Sequence, residues 1–106
     1  MFPLSGGPVA RSGHTAIYDS VNNIMTIYGG FDGIHILGDV WRLSGANGQA
    51  GSASWTAGPS GEARRLHSSA YDPASNTMIT FGGSTSITPL VPSADLDTLS
   101  DANGLQ

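Results

Sequence analysis

The side chains that could do chemistry here are three histidines, eight acids and a scatter of serines. Their spacing narrows what they can do. A zinc site needs three or four converging ligands. The chain has no cysteine and no His-x-x-x-His pair, and His35 has no second ligand at a useful distance in sequence. No metal or other cofactor is therefore assigned. Asp32, Asp39, Asp95 and Asp97 could supply the paired carboxylates of glycoside chemistry. No serine stands in a Gly-x-Ser-x-Gly elbow. The glycine-rich stretches 29–38 and 45–51 lack the lysine and the strand-to-helix setting of a phosphate loop. No catalytic residue is assigned.

Two of the histidines and four of the acids belong to a larger pattern. Arg11 and Arg64, His14 and His67, Asp19 and Asp72, and Asn23 and Asn76 are each separated by the same 53 residues. Met25 and Met78, Tyr28 and Phe81, and Gly29-Gly30 and Gly82-Gly83 keep that offset. The second copy then gains three residues, after which Asp39-Val40-Trp41 aligns with Asp95-Leu96-Asp97 and Ala46-Asn47-Gly48 with Ala102-Asn103-Gly104. A unique active site would not be duplicated, so residues that recur in both copies read as structural, Asp39 and Asp95 included.

The elements that must position these residues read as strands. His14 to Tyr18 and Ile24 to Tyr28 are short β-branched and aromatic runs, separated by Asp19-Ser20-Val21-Asn22-Asn23. The counterpart Asp72-Pro73-Ala74-Ser75-Asn76 is a turn, because proline presets φ and Asp and Asn bond nearby backbone. Val40 to Leu43 predicts a third strand and Ala53 to Thr56 a fourth. No window sustains a 3.6-residue apolar period, which argues against helix.

An Arg-x-x-His entry, an Asp-x-x-x-Asn turn, a diglycine, an Asp-Val-Trp strand and a tryptophan on the next strand occur here in order. They are Arg11/His14, Asp19/Asn23, Gly29-Gly30, Asp39-Val40-Trp41 and Trp55, and the set begins again at Arg64/His67, Asp72/Asn76 and Gly82-Gly83. This pattern resembles the kelch repeat of β-propellers. The resemblance implies an all-β fold of two four-stranded antiparallel blades, a partial propeller whose second blade lacks its fourth strand. Residues 1–7 would end a preceding blade, 8–60 form the first blade and 61–106 the incomplete second. Asp97 stands where Trp41 does, a departure from the pattern. The diglycines are expected to supply positive φ and room for close approach, and Tyr18, Tyr71, Trp41 and Trp55 to fill space between blades.

What differs between the copies is the guide to function. The loops 31–38 and 84–93 offer Phe31, Asp32, Ile34 and His35 on one side and Ile87 and Leu90 on the other as binding residues. The resemblance implies that such loops, with the segment 57–63, line one face and bind partners. Kelch domains that capture acidic peptides carry arginine after the diglycine; Phe31 and Ser84 stand there instead. The expected function is a non-catalytic binding or scaffold module for a protein or carbohydrate, with self-association to close the ring. The alternative is part of an enzyme resembling galactose-type oxidases or sialic-acid isomerases.

Composition bounds the remaining classes. The net charge is −4 with four arginines and no lysine, which leaves too few cations to displace counterions from a nucleic acid. Only 11% of residues are charged, and no run is apolar and long enough to span a bilayer as a helix. The low charge and the Ser/Thr/Gly-rich loops favour an extracytoplasmic bacterial setting, although no signal-peptide pattern occurs in the sequence.

Overall fold

The computed structural model describes residues 7–48, 53–85, 92, 94 and 96–105. Among these every regular element is a strand. The first sheet is an antiparallel meander of β1 (Thr15–Asp19), β2 (Ile24–Phe31), β3 (Ile36–Ser44) and β4 (Ser54–Ala57), in that order. The second contains β5 (Ser68–Asp72), β6 (Thr77–Phe81) and β7 (Leu96–Ser100), likewise antiparallel and in sequence order. No described helix is long and apolar enough to cross a membrane.

The two sheets keep the register of the sequence repeat. Thr15 pairs with Tyr28 and Asp19 with Ile24 in the first sheet; Ser68 pairs with Phe81 and Asp72 with Thr77 in the second. Trp41 lies opposite Ile27, and Asp97 lies opposite Thr80. Each β1–β2 and β5–β6 turn closes on an asparagine at positive φ, Asn23 at 58° and Asn76 at 53°, a conformation that asparagine tolerates better than most residues. Asp19 and Asp72 accept hydrogen bonds from backbone N–H groups two residues on, at Val21 and Ala74. Tyr18 and Tyr71 each donate to the asparagine five residues later.

Two segments differ from the reading by residue type. The second strand continues through the diglycine to Phe31, with a bulge between Tyr28 and Gly30, and the third begins at Ile36. Pairing of Gly30 with Leu37 and Phe31 with Ile36 draws the apolar residues after His35 into the ladder. What remains between the strands is the short turn at 32–35.

Alternation gives each sheet two faces. One face of the first sheet carries Ile17, Tyr28 and Val40 and packs on the Met78 and Ala102 side of the second, with Tyr71 and Leu99 at the edge. Hydrogen bonds tie the same interface: Thr26 and Arg42 donate to the carbonyl of Ala102, both at 2.8 Å, and Thr15 Oγ1 meets Ser69 Oγ at 2.6 Å. Tyr71 contributes to the space between the sheets. By the ladder register Tyr18, Trp41 and Trp55 lie on the opposite face of the first sheet.

Candidate functional site

The recurring arginines build the entry to each sheet. Arg11 Nη1 donates to the carbonyl of Gly29 at 3.1 Å, and Arg64 Nη1 donates to that of Gly82 at 3.0 Å. Each guanidinium also holds an acid of the third strand of its own sheet. Arg11 grips Asp39 with two bonds, at 2.5 and 2.9 Å, and Trp41 Nε1 donates to the same carboxylate at 2.9 Å. The contacts hold the Asp39 carboxyl below the usual carboxylate range, chiefly through the Arg11 bond. Arg64, fully buried, instead bonds Asp97 Oδ2 at 2.6 Å, with Glu62 at 3.6 Å.

Asp97 therefore takes in the second sheet the role of Asp39 in the first, although in sequence it aligns with Trp41. The sequence partner of Asp39, Asp95, lies outside the described residues. Side chains two apart on a strand share a face, so an acid at either place can meet the arginine. The other acids of the repeat, Asp19 and Asp72, are not arginine partners; they cap their turns.

The diglycines are the points of closest approach. Gly29 has φ of +72°, and a Cβ there would lie 2.7 Å from both the Arg64 carbonyl oxygen and His67 Cε1. Gly30 donates its N–H to that Arg64 carbonyl at 2.8 Å. Gly82 and Gly83 also have positive φ, at 79° and 82°. His67 is buried against this junction, its ring centroid 5.1 Å from that of Tyr28 and its Nε2 3.1 Å from the Tyr28 carbonyl. A carbonyl only accepts, so Nε2 carries the proton in this contact. Burial pushes the His67 pKa down, with the Arg64 charge adding to the effect and the carbonyl bond opposing it. His14, its counterpart, is exposed.

The two sheets leave a cleft of about 250 Å³ beside this junction, with Tyr28 and Val40 on one wall and Met78, Thr80 and Asp97 on the other. The segment at 59–62 forms its rim. The Tyr28 hydroxyl donates to the Glu62 carbonyl and fixes that rim. Burial raises the Tyr28 pKa, so at neutral pH the hydroxyl is a donor and not a nucleophile. Five separated stretches of chain line the cleft, and residue type alone pointed only to its rim.

The Phe31–His35 turn lies apart from this cleft's lining. Asp32 Oδ1 accepts the N–H of Ile34 at 2.8 Å and that of His35 at 2.7 Å, which presets the turn. These backbone bonds, His35 first, lower the Asp32 pKa. His35 Nδ1 stands 3.6 Å from Asp32 Oδ2. Ile34 is 73% exposed. Phe31 is half-buried, with the Arg65 guanidinium 4.9 Å from its ring centroid. Ser12 bridges Phe31 and Arg65 bridges Ser84 at matching positions of the two copies. The turn thus presents an apolar side chain and an imidazole on a fixed backbone. The other two expected binding residues, Ile87 and Leu90, lie outside the described residues. Trp41 and Trp55 are half-buried, and a Cβ at Gly7 would lie 2.4 Å from the Trp55 ring. Among the described residues no group of three or more His, Asp or Glu side chains could hold a metal ion.

No protein-family model matches the chain, and no curated protein matches its sequence.

Proposed function

We propose that the chain is a pair of kelch-type propeller blades that acts as a non-catalytic binding scaffold. It engages a protein or carbohydrate partner through the Phe31–His35 turn and the neighbouring 57–63 segment. The observation that carries this reading is the repeated arginine bridge: Arg11 to Gly29 and Asp39, Arg64 to Gly82 and Asp97. The polar side chains that recur are consumed in holding backbone together, which suits a frame and leaves the turns to vary. Binding residues concentrate on such turns when a rigid scaffold carries them.

The capped turn supports the choice of surface. Asp32 spends its carboxylate on two backbone N–H groups, so Ile34 and His35 are displayed with little ordering left to lose on binding. The test is a screen of the chain against a glycan array and a displayed peptide library, followed by the Phe31→Ala/His35→Ala double variant. A hit weakened at least tenfold in the double variant supports the assignment. A hit bound equally well by the variant rules out this face.

A further inference from the structure

Two Asn-Gly pairs stand in equivalent turns of the two copies, Asn47-Gly48 after β3 and Asn103-Gly104 after β7. This dipeptide carries a chemistry of its own. The glycine backbone nitrogen, on losing its proton, attacks the side-chain amide carbon of the asparagine, and glycine has no Cβ to obstruct the approach. The new C–N bond closes a five-membered succinimide and ammonia leaves. Water then opens the ring at either carbonyl. The sum is asparagine plus water giving aspartate or isoaspartate plus ammonia.

The backbones of the two turns match closely. Gly48 and Gly104 have φ of 76° and 82°. Each glycine N–H bonds the carbonyl three residues back, that of Gly45 at 3.0 Å and that of Asp101 at 2.8 Å. The asparagine side chains differ. Asn47 is exposed, and its Oδ1 accepts from the Asn23 side chain at 3.0 Å. Asn103 is only 6% exposed. Its Nδ2 donates to Asp19 at 2.7 Å, and its Oδ1 accepts from Asn76 Nδ2 and from the Leu105 N–H, both at 2.8 Å. Ring closure at Asn103 must swing this amide onto the Gly104 nitrogen and give up those bonds. The bond to Asp19 spans the two sheets, so water and the reactive geometry both reach Asn103 when the junction opens.

The product at this site also differs in consequence. Deamidation replaces the nitrogen that donates to Asp19 by an oxygen, which sets one carboxylate against another at a buried position. Two carboxylates that close strongly resist being ionised together. The product therefore no longer fits the junction that the asparagine closes.

We propose that Asn47 deamidates in the folded chain, whereas Asn103 is a gated modification site that reacts when the two sheets part and whose conversion then opposes their return. The proposal does not depend on the binding turn.

Incubation of the full chain at mildly alkaline pH, with peptide mapping by mass spectrometry over time, follows both sites within one molecule. Asn47 should convert at least tenfold faster than Asn103 in the folded chain. In fully denaturing urea the two should convert at comparable rates. Asp19→Ser keeps a short hydroxyl for the β1–β2 turn but takes the acceptor away from Asn103, and the Asn103 rate should rise at least fivefold relative to that of Asn47. Sub-denaturing urea should have the same effect on the unaltered chain, which keeps the test open if the variant does not fold. Equal rates in the folded chain overturn the proposal, as does an Asn47 that stays intact there while it converts in urea. An Asn103 rate indifferent to sub-denaturing urea overturns the gate. For the last step, Asn103→Asp keeps the shape of the side chain and the oxygen facing Asn76 and Leu105, and should lower the denaturation midpoint more than Asn47→Asp does. A midpoint equal to that of the wild type would show that conversion does not oppose the return of the sheets.

Discussion

Asn103, in the turn that follows β7, donates its side-chain N–H to the Asp19 carboxylate of the first sheet at 2.7 Å, and both residues are buried. Asp19 also accepts from Val21, from the Asn22 backbone and from the Asn22 side chain, so one carboxylate caps a turn and joins two sheets. Asp19→Ala leaves the buried Asn103 amide without an acceptor and uncaps the exposed turn at Val21 and Asn22, and should cost about 2 kcal/mol. Asn103→Ala removes the joint together with the acceptor of the Asn76 side chain and of the Leu105 amide. A double-mutant cycle by urea denaturation should show coupling of roughly 1–2 kcal/mol; additive effects would mean that the contact does not join the sheets.

Arg64 is fully buried while the Asp97 side chain is 46% exposed. Removing the acid leaves the buried guanidinium only the Gly82 carbonyl and the more distant Glu62; because Asp97 is half-exposed and screened, Asp97→Ala should destabilise by about 1–2 kcal/mol. Restoring the first-sheet residue at that position with Asp97→Trp should not rescue it. Denaturation midpoints of both variants check this, and a loss below the error of the method would contradict the pairing.

Acid should lower the stability of the chain over two successive pH ranges. The folded His67 pKa lies below 6.5, so the unfolded chain takes up that proton first. Its contribution is full above pH 6.5 and is lost as pH falls from there through the folded value. Asp19 and Asp39 have folded pKa values below 3.8, held down chiefly by Asn103 and Arg11 respectively. Their contribution is full above that value and is lost as pH falls through the lower folded ones. In His67→Gln, unfolding free energy measured between pH 7 and 5 should become flatter than in the wild type, while the loss below pH 4 should remain.

Gly29→Ala combines a positive φ with a Cβ 2.7 Å from the Arg64 carbonyl oxygen. A backbone atom cannot swing away as a side chain does, so the sheets must part. The expected loss is about 3 kcal/mol. Gly33→Ala is the control: its φ is +105° but nothing lies within 4 Å of the added carbon. Thermal unfolding should rank Gly29→Ala below Gly33→Ala.

Asp32→Ala should leave the global unfolding transition nearly unchanged, because the turn is exposed. Its effect is local. The amides of Ile34 and His35 lose their acceptor, and hydrogen exchange at those two positions should accelerate at least tenfold, with the β2 amides unaffected.

The strands of the first sheet were readable because alternation and turn residues agreed: Ile24 to Tyr28 is followed by glycines, and Asp19 to Asn23 has the chemistry of a turn. The early start of β3 at Ile36 was not. An apolar run between Gly33 and Gly38 carries no period, and its pairing with Gly30 and Phe31 is decided by the bulge. The Asp32 turn lay within a loop legible by residue type, but its caps came from backbone geometry. Asp97 as the partner of Arg64 was hidden by an alignment that placed it on Trp41. The cleft walls were hidden because Tyr28, Val40, Met78 and Asp97 meet only after folding. His14 and His67 looked equivalent and are equivalent in register; only the presence of a neighbouring sheet makes one buried and the other exposed.

The two arginine bridges have a consequence for how such units are recognised. The bond to the glycine carbonyl is fixed in place, while the acid sits at Asp39 in one unit and two positions further along in the other. A site profile that scores a single column for aspartate would credit the second unit for Asp95, although the bond to Arg64 is made by Asp97. Scoring both columns on the strand, conditional on the arginine and the diglycine, would point to the contact in each unit. Divergence in this repeat then includes an acid gained two positions along a strand that makes the contact while the backbone bond persists.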